Sequence, residues 1–460
     1  MVTPGSGIAV RNSPSVAVDP RDPTRVVVAE RIDRPAFAAG VQYSTDGGLT
    51  WAAADVPVPP GEDRPYAPNV AFGDDGTLYL EFVTLAGRGN APHATWLARS
   101  SDGGMTFSGP ERIPTAGGLA FQVQLVVDVS RDPDRLWVTW LQASPAAVHC
   151  LGCFSRTGLP ILAMSSDDAG RTWSDPVRVS AAGLARVGAA TPAVGADGSL
   201  DVLYYDFRDD QIDWLNLPGH YSGTFALRLA TVRGRDVSQV VVDDRVSPPG
   251  RFLPYLPPLP SLVTSADGRR LYAAWTDARY GDADALLSVS ADGGSTWSGP
   301  LRVNDDTRDD GRSQYLPRVG VAPDGRVDVA YYDRRSDPND VMTDVSLASS
   351  TDRGASFPTQ VRVTDRRFSS RVGPEGPGGE ADLGTRIGLV SIEDRALAVW
   401  TDTRNGSVAS ARQDIYAAVV VDLPEPERGV PWTMVVVGSS ALALILVAAG
   451  AWAWRRRQGP

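Results

Sequence analysis

Short apolar runs alternate with turn-forming residues along most of the chain, a pattern that reads as strand, turn, strand. The first unit is PSVAVD, VVVAE, GVQYS and TWAAADVPV, four strand-like runs in a row. Seven such units begin near Pro14, Ala67, Val123, Pro192, Pro260, Pro317 and Ile387. The last shows three clear runs (RIGLVSI, ALAVW and IYAAVVV), and GIAVR near the start of the chain is a candidate to complete it. Four-stranded units arranged radially hide their edges once the ring closes. The pattern therefore predicts an all-β, seven-bladed propeller over residues 12–422, with six blades as the alternative count and residues 1–11 as a segment that closes the last blade.

One motif, Ser-x-Asp-x-Gly-x-Thr/Ser-aromatic, occurs five times, with Asp46, Asp102, Asp168, Asp292 and Asp352 at its centre. The Asp residues are 56, 66, 124 and 60 positions apart, and the double interval marks a lost copy near residue 230. Each copy lies between strand-like runs, so it reads as a hairpin turn. The Asp accepts from turn amides, the Gly takes a positive φ, and the aromatic packs between sheets. A second feature, Asp-x-Arg, ends an apolar run at Asp206 and Arg208, Asp277 and Arg279, Asp333 and Arg335, and Asp402 and Arg404.

The five turns resemble the Asp boxes, or BNR repeats, of sialidase-like propellers, and the resemblance covers residues 12–422. It implies that the boxes lie between the third and outermost strands and that the opposite face is the functional one. Members of that family hold a sugar carboxylate with three Arg, attack with a Tyr activated by a Glu, and protonate the leaving group with an Asp. A Tyr nucleophile is an exception to the usual carboxylate pair. Carried onto this chain, the resemblance implies Arg34, Arg64, Arg208, Arg279, Arg335 and Arg404 as substrate contacts and Asp63, Tyr66, Tyr315 and Glu380 as catalytic groups. Arg112-Ile113-Pro114 copies a family motif but falls at a repeat position on an outer strand, so it is set aside. Glu30-Arg31-Ile32-Asp33-Arg34-Pro35 is a looser match. Repeated Asp-x-Arg pairs also suit a structural role, bridging adjacent blades. Two functions stay open: an exo-α-sialidase or related glycoside hydrolase acting on anionic glycans, and a non-catalytic propeller that binds a glycan or protein at the cell surface.

Composition narrows the partners. All 44 basic residues are Arg, the 55 acids comprise 46 Asp and 9 Glu, and the net charge of −11 argues against a nucleic-acid surface. Three His and two Cys make a multi-His metal site or a disulfide-dense scaffold unexpected, and the sequence calls for no metal or cofactor. Cys150 and Cys153 are expected to form a local disulfide, His93 and His220 to be loop residues, and the Asp runs at 209–213 and 305–310 to be solvated turns.

Residues 430–454 hold 25 uncharged positions, enough for about 37 Å of helix against a hydrocarbon core of ~30 Å. Trp432, Trp452 and Trp454 flank the run and three Arg follow it, so the reading is a single membrane span with a polar stalk at 423–429 and a cytoplasmic tail at 455–460. The propeller is then extracytoplasmic. Residues 1–11 show no export signal, and the expectation is that the start is truncated or lies upstream.

Overall fold

In the computed structural model, residues 1–3, 7–87, 90–115, 119–143, 159–184, 186–208, 221, 223–249, 259–374 and 383–424 are described. They form seven antiparallel sheets, each running in sequence order from an inner strand outward. Blade 1 is Val10–Val18, Val26–Arg34, Ala38–Ser44 and Ala52–Ala54. The other inner strands are Pro65–Phe72, Leu119–Asp128, Val187–Val194, Ser261–Thr264, Gln314–Val321 and Gly388–Ser391. Residues 425–429 of the stalk, the membrane span and the tail lie outside the described residues, and the described residues contain no helix long and apolar enough to cross a membrane.

The second strands explain why the sheets stand face to face. Leu200–Asp206, Leu271–Asp277, Val327–Asp333 and Ala396–Asp402 are buried at every position, as expected for strands covered on both faces. Their side chains fill seven apolar clusters among the described residues, one for each pair of neighbouring blades. The cluster of Val26, Val28, Leu397, Val399 and Ile415 joins blade 7 to blade 1 and closes the ring. Arg326, 1 % exposed, reaches from blade 6 to the carbonyls of Ile392, Glu393 and Arg395 in blade 7.

Blade 7 has three strands, Gly388–Ser391, Ala396–Asp402 and Asp414–Val420. The chain start lies along the third: Val2 N donates to Ile415 O at 2.8 Å, and Arg11 N donates to Gln413 O at 3.1 Å. Val10 forms a single parallel bridge with Gln413.

All five Asp boxes occupy turns between third and outer strands. Asp46 is representative. Its Oδ1 accepts from Ser44 Oγ and from the amides of Leu49 and Thr50, while Oδ2 accepts from Thr50 Oγ1 at 2.5 Å. These donors hold its carboxyl down to about 2. Gly48, at φ +96, faces Leu397 of the preceding blade at a distance that leaves little room for a Cβ. Blade 4 has no box because Phe225–Arg233 and Asp236–Val246 are joined through Gly234 at φ +62 in a tight hairpin.

Candidate functional site

Antiparallel order places the starts of the inner strands and the ends of the second strands on the face opposite the Asp boxes. Near its start the inner strand is bulged in five blades, with Ser13, Ala67, Gln122, Ala189 and Leu316 all at φ between 51 and 56. A bulge breaks the register and re-aims the residues after it. Here it directs Ser15, Asn69, Gln124, Thr191 and Arg318 to one level of the central channel. That channel is a cavity of about 480 Å³ lined by all seven inner strands and by Arg386, just ahead of the seventh.

At the mouth, Asp33 is the next-to-last residue of the second strand of blade 1 and Tyr66 the second residue of the inner strand of blade 2. Tyr66 donates its hydroxyl to Asp33 Oδ1 at 2.5 Å, Arg31 Nε lies 3.1 Å from the same oxygen, and Asn12 Nδ2 donates to Oδ2 at 2.8 Å. Phe37 meets the Tyr66 ring edge to face at 5.2 Å, and the Arg31 guanidinium sits 5.8 Å from its centroid. A phenol held on a carboxylate with a guanidinium alongside can lose its proton to that carboxylate and attack.

Arg386 spans the mouth. Its guanidinium donates to Ser13 O and Pro14 O, to Asn69 Oδ1 at 2.8 Å, to Gln124 Oε1 and to Pro68 O. Burial and then the positive charge of Arg318 pull it down to about 9; Glu81 opposes them and Arg31 adds to them. At neutral pH it remains a cation. Glu81, wholly buried, is pushed up to about 8 by burial, against the hydrogen bond from Asn69 and the charge of Arg386. It is therefore mostly neutral at pH 7 and leaves the arginine charges uncompensated.

The residues implied by resemblance scatter. Tyr66 is at the mouth. Asp63, with a 74 % exposed side chain, pairs with Arg64, whose Nη1 donates to Gly87 O and Asn90 Oδ1. Arg34 is exposed at the end of its strand. Tyr315 is 1 % exposed, packed on Tyr332 with the Arg334 guanidinium 4.7 Å from its ring centroid. Glu380, Cys150, Cys153 and His220 lie outside the described residues. His93, expected in a loop, is instead an exposed residue of the strand Ala91–Ser100, because pairing with the preceding strand continues to Ala91.

In each Asp-x-Arg the Asp accepts the amide of the Arg two residues on, at 2.8–3.1 Å. Arg279 lies between Asp277 and Asp243, Arg335 between Asp333 and Asp305, and Arg404 between Asp402 and Asp365. Arg208 Nη1 donates to Thr224. None of these four is among the described residues lining the cavity. Sequence reasoning missed Arg318 and Arg386, and it noted Arg31 and Asp33 only as a loose motif.

No family model matches the chain, and no curated protein matches it. Among solved structures, a polysaccharide lyase of family PL25, an ulvan lyase bound to -[GlcA(1-4)Rha3S]-, is 13% identical over 91% of this chain and 96% of its own, with a TM-score of 0.53. A protein of unknown function from Dyadobacter fermentans DSM 18053 is 14% identical over 91% and 97%, with a TM-score of 0.49. The Hadza microbial sialidase Hz136 is 17% identical over 72% and 66%, with a TM-score of 0.46. At these identities the likeness to the lyase is one of fold.

Proposed function

We propose that this is a glycan-active propeller that processes an acidic glycan at the channel mouth, in the manner of a sialidase-like hydrolase. One observation carries the reading: the 2.5 Å contact between Tyr66 and Asp33 lies beside Arg31, in a mouth where Arg31, Arg318 and Arg386 share one electrostatic neighbourhood. Asp33 takes the phenolic proton as Tyr66 attacks the anomeric carbon, and Arg318, in the positive field of Arg31 and Arg386, holds the acid group of the sugar through a charge-assisted fork. The exposed Asp63, three residues before Tyr66, is the nearest carboxyl in sequence for protonating the leaving group. The fold shared with a polysaccharide lyase supports a glycan substrate. The uncharged run at 430–454 and the arginines after it support a single-pass anchor with the propeller outside.

The test is release of a chromogenic phenol from a panel of sialosides and uronides by the full chain. Wild type is expected to turn over at least one, and Tyr66→Phe and Asp33→Asn are expected to lose on the order of 100-fold or more in kcat with unchanged melting temperature. Wild-type turnover unaffected by both substitutions would overturn the assignment of the pair. Saturable glycan binding with no turnover would assign the mouth to recognition instead.

A further inference from the structure

We infer that the outer edge of the third strand of blade 7, Asp414–Val420, is a docking site for one extended polypeptide segment that runs on from the amino end of Met1. The argument starts from how other blades finish. In blades 3, 5 and 6 the outer strands Val177–Arg178, Leu301–Arg302 and Thr359–Arg362 lead into Val179, Val303 and Val363. The amides of these valines donate to the carbonyls of Ile161, Ala285 and Val345 on the third strands at 2.7–2.8 Å. The next residue answers: Ser180, Asn304 and Thr364 accept from the amides of Ile161, Ala285 and Val345 through side-chain oxygens at 3.0–3.3 Å.

Blade 7 makes both contacts with the start of the chain. Ile415 holds the place of Ala285 and Val345, since each follows the residue paired with the Asp of an Asp-x-Arg. Val2 N donates to Ile415 O at 2.8 Å, and Thr3 Oγ1 accepts from Ile415 N at 3.1 Å. Val2 and Thr3 thus make the contacts that end an outer strand. Among the described residues, no strand pairs with Ala417 and Val419 farther along the same edge. Backbone groups alternate in direction along a strand, so the N–H and C=O of Ala417 and Val419 point outward with those of Ile415.

Other blades show what fits there. The place of Val419 is taken by Arg99, Ser165 and Val289 in blades 2, 3 and 5, and Ser108, Ser174 and Ser298 close it. Each Ser amide donates to the carbonyl at 2.8–2.9 Å, and each Oγ accepts from the amide at 3.0–3.1 Å. Each Ser opens a run Ser-x-Pro-x-Arg-Val/Ile and stands five positions ahead of Ile113, Val179 or Val303, the counterparts of Val2. Met1 falls at the Arg position. A segment Ser-x-Pro-apolar ahead of it puts Ser on Val419 and an apolar side chain opposite Ala417, as Val177 and Leu301 stand opposite Ala163 and Leu287. Ala417 and Val419 are half-buried members of the cluster that Val2 joins, so that side chain would extend the same apolar cover.

The edge suits a strand. Residues 415–421 carry no charge and no proline, the devices that usually blunt a free edge. Main-chain bonds then give affinity and alternate side chains give register. The occupant is in cis because its last residue abuts the Met1 nitrogen, where a separate chain would have to end. The inference stands apart from the chemistry at the mouth.

The experiment compares three versions of the 460-residue chain: unextended, with Ser-Gly-Pro-Leu ahead of Met1 as in residues 298–301, and with Gly-Ser-Gly-Ser ahead of Met1. Thermal melting is read together with hydrogen exchange across residues 414–421. Ser-Gly-Pro-Leu is expected to raise the melting temperature and to slow exchange of the Ala417 and Val419 amides by about tenfold or more, with smaller effects from the flexible tetrapeptide. Equal melting and exchange in all three would sink the inference. So would slow exchange of both amides in the unextended chain, because another part of the chain would then cover the edge. Acetyl-Ser-Gly-Pro-Leu-amide added in excess to the unextended chain is expected to leave exchange unchanged, and protection as strong as that of the extended chain would replace the cis segment by a partner chain.

Discussion

Asn69 Nδ2 donates to Glu81 Oε2 at 2.7 Å while Asn69 Oδ1 accepts from Arg386, so one carboxamide joins a buried acid to the arginine at the channel mouth. Glu81 Oε1 has no hydrogen-bond partner among the described residues. The acid is thus held in its neutral form by burial and by having too few donors around it.

That predicts a pH dependence. With a native value of about 8 against about 4.3 in the unfolded chain, the native state binds more protons between those limits. The Glu81 contribution to stability is therefore fully present below about pH 4 and falls as pH rises through about 8. Urea unfolding of wild type and Glu81→Gln at pH 5, 7 and 9 measures it: the variant should gain on wild type at each step. A difference constant across the range would refute a protonated Glu81.

Arg386→Met should weaken ring closure. It removes donors to carbonyls and amides in blades 1, 2 and 3 at once and leaves those acceptors, on four buried residues and the half-buried Gln124, short of a partner. A loss of about 2–4 kcal/mol is expected, read from the denaturant midpoint. Limited proteolysis should then cut the chain ends first.

The Asp boxes should act as independent staples. Ser166 Oγ donates to Asp168 Oδ1 at 2.7 Å and accepts from Gly170 N at 2.8 Å, so Ser166→Ala is expected to cost about 1 kcal/mol. Asp292, held down to about 2 by Thr296 and Ser290, contributes stability above about pH 4 that is lost as pH falls through about 2. Acid titration of wild type against Asp292→Asn should show their difference shrinking only below pH 4.

Arg404→Ala tests the outer arginines. Its guanidinium is held by Asp402 at 2.7 Å and by Asp365, and it covers the Tyr416 ring at 4.3 Å. The expected result is a melting temperature lower by a few degrees with unchanged glycan affinity. A weakened glycan Kd at constant stability would place the outer arginines in the binding surface.

The ring was legible because repetition amplifies weak local signals. Five Asp boxes at a period near 60 outweigh the ambiguity of any single strand, and even the lost copy in blade 4 registered as a gap. The site was legible only in part. Tyr66 stood out by breaking the repeat, but its partner Asp33 is 33 residues away on another blade, and pairing across blades leaves no local mark. Arg318 carried a usable signal: Pro14-Ser15, Pro68-Asn69 and Pro317-Arg318 align, and an arginine replaces a small polar residue in that column. In a chain whose basic residues are all Arg, one more arginine does not attract notice until its lack of a partner among the described residues is seen.

The contacts of Val2 and Arg11 with residues 413–415, and of Arg386 with Ser13 and Pro14, give the ring a seam joined without a covalent link. At ordinary rates of synthesis the two sides of that seam leave the ribosome roughly 20–80 s apart. Six blades can stack in order during that interval, but the cavity wall exists only after the last has arrived. The channel is therefore a property of the finished ring, and any ligand that bound there would stabilise the closed form by mass action over a string of separate sheets.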